Sequence, residues 1–402
     1  MKNVLFVDDE PKVLEGLQRM LRPQRHRWTM AFANSAQAAL ATLETGPFDV
    51  LVTDMRMPET DGATLLALVR DRYPGIVRIV LSGYVAHDTA LRAAPVAHQF
   101  LVKPCDPAKL CEAIERACSL GAVLTDEATR KLVNAVGELP CLPRTYAVLV
   151  EALDKPDVSL QEIGRIVRRD VGISAKVLQL VNSAFFGLVR EIATVEAAVG
   201  YLGLDILKQL VLSIEIFRTF QPASSIGGFS LQEVQTHSQF AAALAARLPT
   251  STALAGAGAV ATLVHDVGQL VLAEKLPERF GCAVAAAREQ GRPLYAVEQD
   301  LIGASHAVIG AYLLGLWGLP GAVVEAVHYH HAPPKGCPAN RQLSTTAIVH
   351  IADALAHEFR PTTLASPALD LEYLQELGVA DQLPEWRAMA EQTAQSWRGL
   401  ES

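Results

Sequence analysis

Residues 49–62 read Asp-Val-Leu-Val-Thr-Asp-Met-Arg-Met-Pro-Glu-Thr-Asp-Gly, and this stretch decides the fold of the first part of the chain. In it, a short apolar run ends at Asp54. The same arrangement recurs where other apolar runs are followed by polar residues: Asp8, Asp9, Ser82 and Lys103. Helix-length segments separate the runs, which predicts βα repeats around a parallel sheet. The carboxyl ends of parallel strands lie at one edge, so these five residues should converge on one pocket.

The charge of this pocket predicts its chemistry. Three carboxylates repel one another unless a cation lies among them, and a small set of oxygen ligands suits hydrated Mg²⁺. Asp54 is then the candidate nucleophile, because a carboxylate can form an aspartyl phosphate. Lys103 would supply a cation to the phosphoryl oxygens, and the Ser82 hydroxyl would supply a hydrogen bond.

The motifs VLFVDDE, DVLVTDMRMPETDG, IVLSGY and FLVKP resemble those of the receiver domain of two-component response regulators. The resemblance covers residues 1 to about 118. It implies a doubly wound, flavodoxin-like α/β fold with a five-stranded parallel sheet. The structural alternative, acidic residues that merely end strands, explains any one aspartate but not all five positions together.

The resemblance also assigns roles to individual residues. It makes Asp54 the phosphoacceptor and gives Mg²⁺ the ligands Asp8, Asp9, Asp54 and the backbone carbonyl of Arg56. It makes Ser82 the switch hydroxyl, Phe100 the switch aromatic and Lys103 the contact to the phosphoryl group. The peptide bond between Lys103 and Pro104 is expected to be cis, which proline permits.

Composition places limits on the rest of the chain. Its 402 residues fit two or three domains, and the 50% of hydrophobic residues can form large cores. The net charge of −8 argues against a general nucleic-acid coat. The six cysteines form no CxxC pair, which suits a reducing compartment. We expect a cytoplasmic protein without a signal peptide or membrane span.

Helical periodicity dominates after the first α/β region. We predict a receiver domain at 1–119, a helical linker at 120–140, an all-α core at 141–335 and a helical extension at 336–402 that completes or packs on this core. Ser159 to Glu162 is a capping box that opens a helix, and Thr194 should open another.

The segments LPRTYAVLVEALDKPDVSLQEIGRIVRRDVGISAKVLQLVNSAFFG, VEAAVGYLG, VHDVGQL, GASHAVIGAYLLGLWGLP and VHYHH resemble an HDOD domain, a helical output module related to HD phosphohydrolases. The match runs from about residue 136 to about residue 335. Members of this family commonly act as regulatory or scaffold modules, and a preceding receiver is a known arrangement.

Several residues of this region have the chemistry of metal ligands. Glu233 and His237 are four apart on one helical face, and His265 and Asp266 are adjacent in a predicted apolar helix. Similar candidates follow in sequence: His306, His330, His331 and Asp353. Imidazole with carboxylate suits Fe, Mn or Zn, and the set could hold two ions around a bridging water. Resemblance to HD-GYP phosphodiesterases places these eight positions at the metal ligands of that family.

Two departures from the hydrolase pattern argue against turnover. Gln269 stands where the hydrolases have a lysine that holds substrate phosphate, and Ala332 replaces the glutamate after the paired histidines. The GYP signature is replaced by residues 333–338. We therefore expect a regulatory protein rather than an enzyme. The alternatives are a phospho-gated phosphohydrolase or cyclic-dinucleotide phosphodiesterase, and histidines that only pack in the core.

The sequence also indicates the kinds of partner. A helical hairpin at 159–186 resembles a helix-turn-helix, but its second helix is mostly apolar and lacks base-reading side chains, so we expect no nucleic-acid binding. The predicted partners are a sensor histidine kinase and downstream signalling proteins. The sequence leaves a homodimer open.

Overall fold

A computed structural model shows two compact units. One contains Met1–Ile166 with Leu313–Leu319, and the other contains Val167–Tyr312 with Pro320–Ser402. The structure describes residues 2–82, 96–103, 105–123, 144–153, 158–168, 173, 177, 195–204, 207, 211–212, 214, 216, 226, 228–248, 252–333, 343–362 and 368–401. Residues 124–140 of the predicted helical linker, most of the hairpin's second helix and Pro104, with its predicted cis bond, lie outside these residues.

The first unit contains a five-stranded parallel sheet with the strand order β2-β1-β3-β4-β5. The strands are β1 Lys2–Val7, β2 Trp28–Ala33, β3 Val50–Asp54, β4 Val77–Ser82 and β5 Gln99–Val102. β1 and β3 lie in the interior of the sheet, and their continuous apolar runs are buried because helices cover both faces of such a sheet. The doubly wound α/β prediction is confirmed.

The helices in chain order are α1 Pro11–Met20, α2 Ala36–Leu43, α3 Gly62–Arg72, α4 Pro107–Val123, α5 Arg144–Leu153, α6 Leu160–Arg168, α7 Val195–Leu202, α8 Leu231–Ala245, α9 Thr252–Val264, α10 Val267–Lys275, α11 Pro277–Gln290, α12 Leu294–Leu301, α13 His306–Leu316, α14 Gly321–Tyr329, α15 Thr345–Phe359, α16 Leu371–Leu377 and α17 Leu383–Glu401. Short 3-10 turns lie at Arg22–His26 and Ala380–Gln382.

Side-chain caps fix where several helices begin. Asp61 accepts a hydrogen bond from the backbone of Thr64 at 2.9 Å and so sets the start of α3 directly after the Asp54 loop. One of the two hydrogen bonds of the predicted capping box is shown, since the Glu162 backbone N–H donates to Ser159 Oγ at 3.1 Å. The helix predicted from Thr194 is α7.

Helices α8, α9 and α15 form the centre of the second unit. Small side chains allow this close packing: residues 241–245 are fully buried, and a Cβ on Gly258 would lie 2.5 Å from Ile348 Cγ2. The terminal helix α17 packs on α8, where Trp397 meets Phe240 edge to face.

One local prediction is wrong. His265 and Asp266 do not lie inside a helix, because α9 ends at Val264 and α10 begins at Val267. The two residues form the turn between these helices. None of the described helices has both the length and the apolar character needed to cross a membrane.

Candidate functional site

The first site lies at the carboxyl edge of the sheet in the first unit. Asp8 follows β1, Asp54 ends β3, and Lys103 follows β5, so three separate strands deliver these side chains to one place. Lys103 Nζ donates to Asp8 Oδ2 at 2.6 Å and makes a shorter contact with Asp54 Oδ1. Both aspartates are buried. The predicted convergence of these three residues is therefore present.

Backbone donors hold the second oxygen of each carboxylate. The Glu10 N–H donates to Asp8 Oδ1 at 3.0 Å, and the Arg56 N–H donates to Asp54 Oδ2 at 2.5 Å. Burial alone would lower the pKa of Lys103, but its contacts with Asp54 and Asp8 outweigh this effect and raise that pKa. The ammonium group thus neutralises part of an anionic pocket.

The other predicted residues lie in strands of the same sheet or just after them. Asp9 directly follows Asp8 and is partly exposed, so it adds a third carboxylate to the edge. Ser82 ends β4 opposite Val102, and Phe100 is buried in β5. Lys103 offsets the charge of one of the three carboxylates. The other two leave a negative site with oxygen ligands, which fits Mg²⁺.

Gly62 is a residue whose role the sequence analysis missed. A Cβ at this position would lie 2.1 Å from the backbone oxygen of Asp54. The Gly62 N–H also donates to the Met55 carbonyl at 3.0 Å. The Asp-Gly pair in residues 49–62 therefore allows the start of α3 to approach the strand end that carries Asp54.

The second site is a buried cluster of histidine and aspartate in the second unit. Its side chains come from α8, the turn after α9, the first residue of α13, the residues after α14, and α15. Two groups have ligand atoms within 4.8 Å of one another: Asp266, His306, His330 and His331, and His237, His265 and Asp353. These are all the predicted ligands except Glu233.

Asp266 lies at the centre of the first group. Its Oδ1 is 3.2 Å from His306 Nε2 and 3.9 Å from His330 Nε2. His306 Nε2 is also 2.8 Å from His331 Nε2. Three imidazoles therefore surround one carboxylate.

His265 connects the two groups. Its Nε2 is 3.3 Å from Asp266 Oδ2 and 3.5 Å from Asp353 Oδ1. On the other side of Asp353, His237 Nε2 lies 2.8 Å from the same Oδ1. The cluster is thus continuous rather than two isolated pairs.

Local carbonyl groups fix the orientation of two imidazoles. Nδ1 of His265 is 2.6 Å from the Thr262 carbonyl, and Nδ1 of His330 is 2.7 Å from the Val327 carbonyl. A carbonyl only accepts, so each Nδ1 carries the proton and each Nε2 points to the centre. Both Nε2 atoms are buried without a hydrogen-bond partner. Histidine ligands of metals commonly show this arrangement.

Sequence reasoning missed Glu298 and His357. Glu298 is fully buried in α12, and its Oε2 lies 2.7 Å from both His306 Nδ1 and the His306 backbone nitrogen. His357 Nε2 lies 3.5 Å from Asp353 Oδ1. The sequence gives no clear signal for Glu298, which lies in a Glu-Gln-Asp run, and the signal for His357 is its spacing of four from Asp353.

Charge is balanced within the cluster by two histidines. Burial lowers the pKa of His265, but the carboxylates of Asp266 and Asp353 outweigh it, so this pKa is well above the usual value. Burial also lowers the pKa of His306, but the carboxylates of Glu298 and Asp266 outweigh it and raise that pKa to about 10. The pKa values of Asp266 and Asp353 are well below normal, because contacts with these and neighbouring histidines overcome the effect of burial.

Three further imidazoles, those of His330, His331 and His357, are held neutral. Burial, with the charge of His265, lowers the pKa of His330 to about 3, and burial lowers that of His357 to about 4. Burial also lowers the pKa of His331 well below normal. Neutral imidazoles and ionised carboxylates are the forms that bind metal ions, and a bound cation would displace the two protons. The donor set therefore fits Fe, Mn or Zn.

A cavity of about 50 Å³ opens onto the cluster. Its wall includes His237, Asp266 and His306, together with Gln269, at the position where the hydrolases have lysine. Each water-sized sphere needs roughly 10–15 Å³ by this measure, so the cavity holds only a few waters. A larger space of about 680 Å³ lies beside α8 and residues 359–362.

Comparison with known proteins accounts for both units. Residues 4–115 match the family model for the response regulator receiver domain, and residues 139–333 match the one for the HDOD domain. This is a receiver–HDOD protein. It contains the receiver domain of two-component response regulators, as the motifs predict.

Similar proteins cover parts of the receiver–HDOD protein. An uncharacterized protein of Treponema pallidum is 27% identical over 52% of this chain and 41% of its own length. The response regulator protein PilR of Pseudomonas aeruginosa is 33% identical over 34% of each chain. The receiver–HDOD protein thus spans less than half the length of these relatives.

A solved structure supports the helical fold. An HDOD domain protein of unknown function from Geobacter sulfurreducens has a TM-score of 0.52 and 24% identity, covering 68% of this chain and 98% of that one. At this identity the likeness shows the fold alone, and it confirms the predicted helical HDOD architecture.

Proposed function

We propose that this protein is a phosphorylation-controlled regulator whose input is transfer of a phosphoryl group to Asp54. The observation that carries the proposal is the position of Lys103 Nζ between Asp8 Oδ2 and Asp54 Oδ1. A cation held beside a buried carboxylate can also stabilise the negative charge of a phosphoryl group that becomes attached to that carboxylate.

The step forms a bond between an oxygen of Asp54 and phosphorus, and it breaks the phosphorus–nitrogen bond of a phosphohistidine on a sensor kinase. Lys103 then contacts the phosphoryl oxygens. Asp8, Asp9, Asp54 and the Arg56 carbonyl would hold Mg²⁺, which would supply positive charge for the incoming phosphoryl group. We infer a cytoplasmic location, where the protein would meet its kinase.

The output in this proposal is a change of protein–protein contacts made by the HDOD domain. Ser82 ends β4, the strand beside the one that Asp54 ends, and Phe100 lies in β5, one strand further along. In this proposal both residues respond to the new phosphoryl group. The partners of the output would be downstream signalling proteins.

Incubation with acetyl phosphate and Mg²⁺ tests the input. The wild type should gain one acid-stable, base-labile phosphoryl group, detected by mass spectrometry of the intact protein. Asp54→Asn should gain none. Asp71→Asn, which removes an exposed carboxylate from α3, is the matched control and should label normally. Labelling of Asp54→Asn at the wild-type rate would refute the assignment.

A second candidate function is a metal-dependent phosphohydrolase. It is supported by the gathering of the predicted imidazole and carboxylate ligands around shared space. One feature opposes turnover. Gln269 lines the cavity and provides no positive charge for a substrate phosphate.

Metal analysis separates the two candidates. Protein purified without chelators should contain Fe, Mn or Zn if the centre is a metal site, and a variant with both His265→Ala and Asp266→Ala should contain none. The metal-loaded wild type is then tested with a cyclic dinucleotide and a simple phosphodiester. Hydrolysis that is lost in the double variant would establish the enzyme, whereas metal without hydrolysis would leave a regulatory metal centre.

A further inference from the structure

Asp353 Oδ1 is surrounded by three imidazole nitrogens. His237 Nε2 lies at 2.8 Å, and Nε2 of both His265 and His357 lies at 3.5 Å. Asp353 is itself buried, with about 1% of its surface exposed. One carboxylate oxygen with three converging nitrogens is a donor arrangement suited to a single cation.

Packing alone does not account for His357. Its ring centroid is 4.2 Å from that of His237, and only 13% of its side chain is exposed. Its Nδ1 is buried without a hydrogen-bond partner. A buried histidine that served only to pack would normally have its ring nitrogens hydrogen-bonded. The other ring nitrogen, Nε2, is the one that faces the Asp353 carboxylate, at 3.5 Å.

Glu233 occupies a different place from the one expected of a ligand. It is exposed near the start of α8, where its backbone N–H donates to Ser230 Oγ at 3.2 Å. Glu233 and His237 both line the cavity of about 50 Å³ and the adjoining space of about 680 Å³. Neither Glu233 nor His357 belongs to the two groups whose ligand atoms all lie within 4.8 Å of one another, but His357 Nε2 lies 3.5 Å from Asp353 Oδ1.

We propose that His357 is a metal ligand and takes the place that sequence resemblance gives to Glu233. One cation is then held by His237, His265, Asp353 and His357, and a second by Asp266, His306, His330 and His331. This inference rests on the metal centre described under the second candidate function. It deepens that proposal by naming a ligand that the hydrolase pattern lacks.

The ligand sets predict the class of metal. Each cation meets three neutral imidazoles and one carboxylate, since His357 supplies nitrogen where Glu233 would have supplied oxygen. Imidazole-rich sites favour Zn²⁺, Fe²⁺, Co²⁺ and Ni²⁺, whereas Mg²⁺ and Ca²⁺ favour oxygen. Zn²⁺ should therefore bind in the presence of a large excess of Mg²⁺.

Zn²⁺ stoichiometry of the full chain tests the ligand assignment. The wild type should bind two equivalents after dialysis, His357→Ala should bind one tightly, and Glu233→Gln should bind two. Loss of an equivalent in Glu233→Gln, with both retained in His357→Ala, would overturn the assignment. A wild type that binds no Zn²⁺ would overturn the metal centre itself, so the two failures are distinguishable.

A cysteine variant gives a readout that does not depend on stoichiometry or activity. In Co²⁺-loaded His357→Cys, a thiolate ligand should produce a near-ultraviolet charge-transfer absorption that the Co²⁺-loaded wild type lacks. Circular dichroism and thermal unfolding confirm that each variant is folded. A folded, Co²⁺-loaded His357→Cys protein without this absorption would contradict the assignment.

Discussion

Glu298 Oε2 lies 2.7 Å from both the ring Nδ1 and the backbone nitrogen of His306. One carboxylate oxygen therefore accepts both N–H groups, fixing the ring of His306 and the first turn of α13 together. With Nδ1 committed to Glu298, Nε2 of His306 is directed at Asp266. Glu298 thus positions a candidate ligand without facing the centre itself.

Replacing Glu298 tests this positioning role. Glu298→Ala should destabilise the second unit by about 3–5 kcal/mol, because it leaves buried donors and a protonated His306 without their anion. Glu298→Gln keeps an oxygen that can accept both hydrogen bonds, and should cost about 1–3 kcal/mol. Urea unfolding measures both. Equal stability of Glu298→Ala and wild type would contradict this account.

Gly268 permits the close approach of α10 and α13. A Cβ there would lie 1.9 Å from the His306 carbonyl oxygen and 2.8 Å from the Gly310 nitrogen. Gly268→Ala should therefore destabilise the protein by about 1–3 kcal/mol. It should also shift His306 away from Asp266. Thermal unfolding and Zn²⁺ affinity should both fall.

Gly200→Ala is the matched control for this substitution. Gly200 also lies in a helix, but a Cβ there meets nothing within 4 Å. Alanine should leave the protein as stable or increase stability by about 0.5–1 kcal/mol. A loss of stability in Gly200→Ala as large as that in Gly268→Ala would show that backbone contact is not the cause.

Lys103→Met should separate two effects of the ammonium group. Without it, Mg²⁺ no longer competes with a fixed cation for Asp8 and Asp54, so calorimetry should show several-fold tighter Mg²⁺ binding. Phosphorylation by acetyl phosphate should nevertheless slow by about 10- to 100-fold, because the phosphoryl oxygens lose a cation. Lys12→Met, an exposed change in α1, should alter neither property. Weaker Mg²⁺ binding in Lys103→Met would contradict the prediction.

His98 should make the first unit sensitive to acid. Burial, helped by the Arg78 guanidinium whose Nη2 lies 2.9 Å from His98 Nε2, lowers the pKa of His98 well below normal. The unfolded chain then binds a proton that the folded one does not, and stability falls as pH drops below about 6.5. Above that pH, the unfolded chain no longer binds the extra proton, and His98 causes no loss of stability.

The size of this effect is bounded by one proton. His98 can account for up to about 1.4 kcal/mol per pH unit in the free energy of unfolding. Urea denaturation from about pH 7.5 to about pH 5.5 measures the slope, and His98→Gln should make it shallower. An identical slope in His98→Gln would exclude this histidine as the cause.

The sequence alone was sufficient for the sheet and for the site at its edge. Apolar runs that end in Asp8, Asp54 and Lys103 specify parallel strands, and the geometry of a parallel sheet places all such ends together. This inference needs no knowledge of side-chain direction, because every strand ends at the same edge. The order of the segments was enough.

The histidine cluster depended on the tertiary structure. A spacing of four between Glu233 and His237 allows both to share a face, yet the turn that caps α8 leaves Glu233 exposed and His237 buried. His357 and Glu298 belong to the cluster because helix packing buries the helical faces that carry them. Sequence spacing fixes which residues share a helical face, but only packing decides which face is buried and which nitrogen of each imidazole meets the centre.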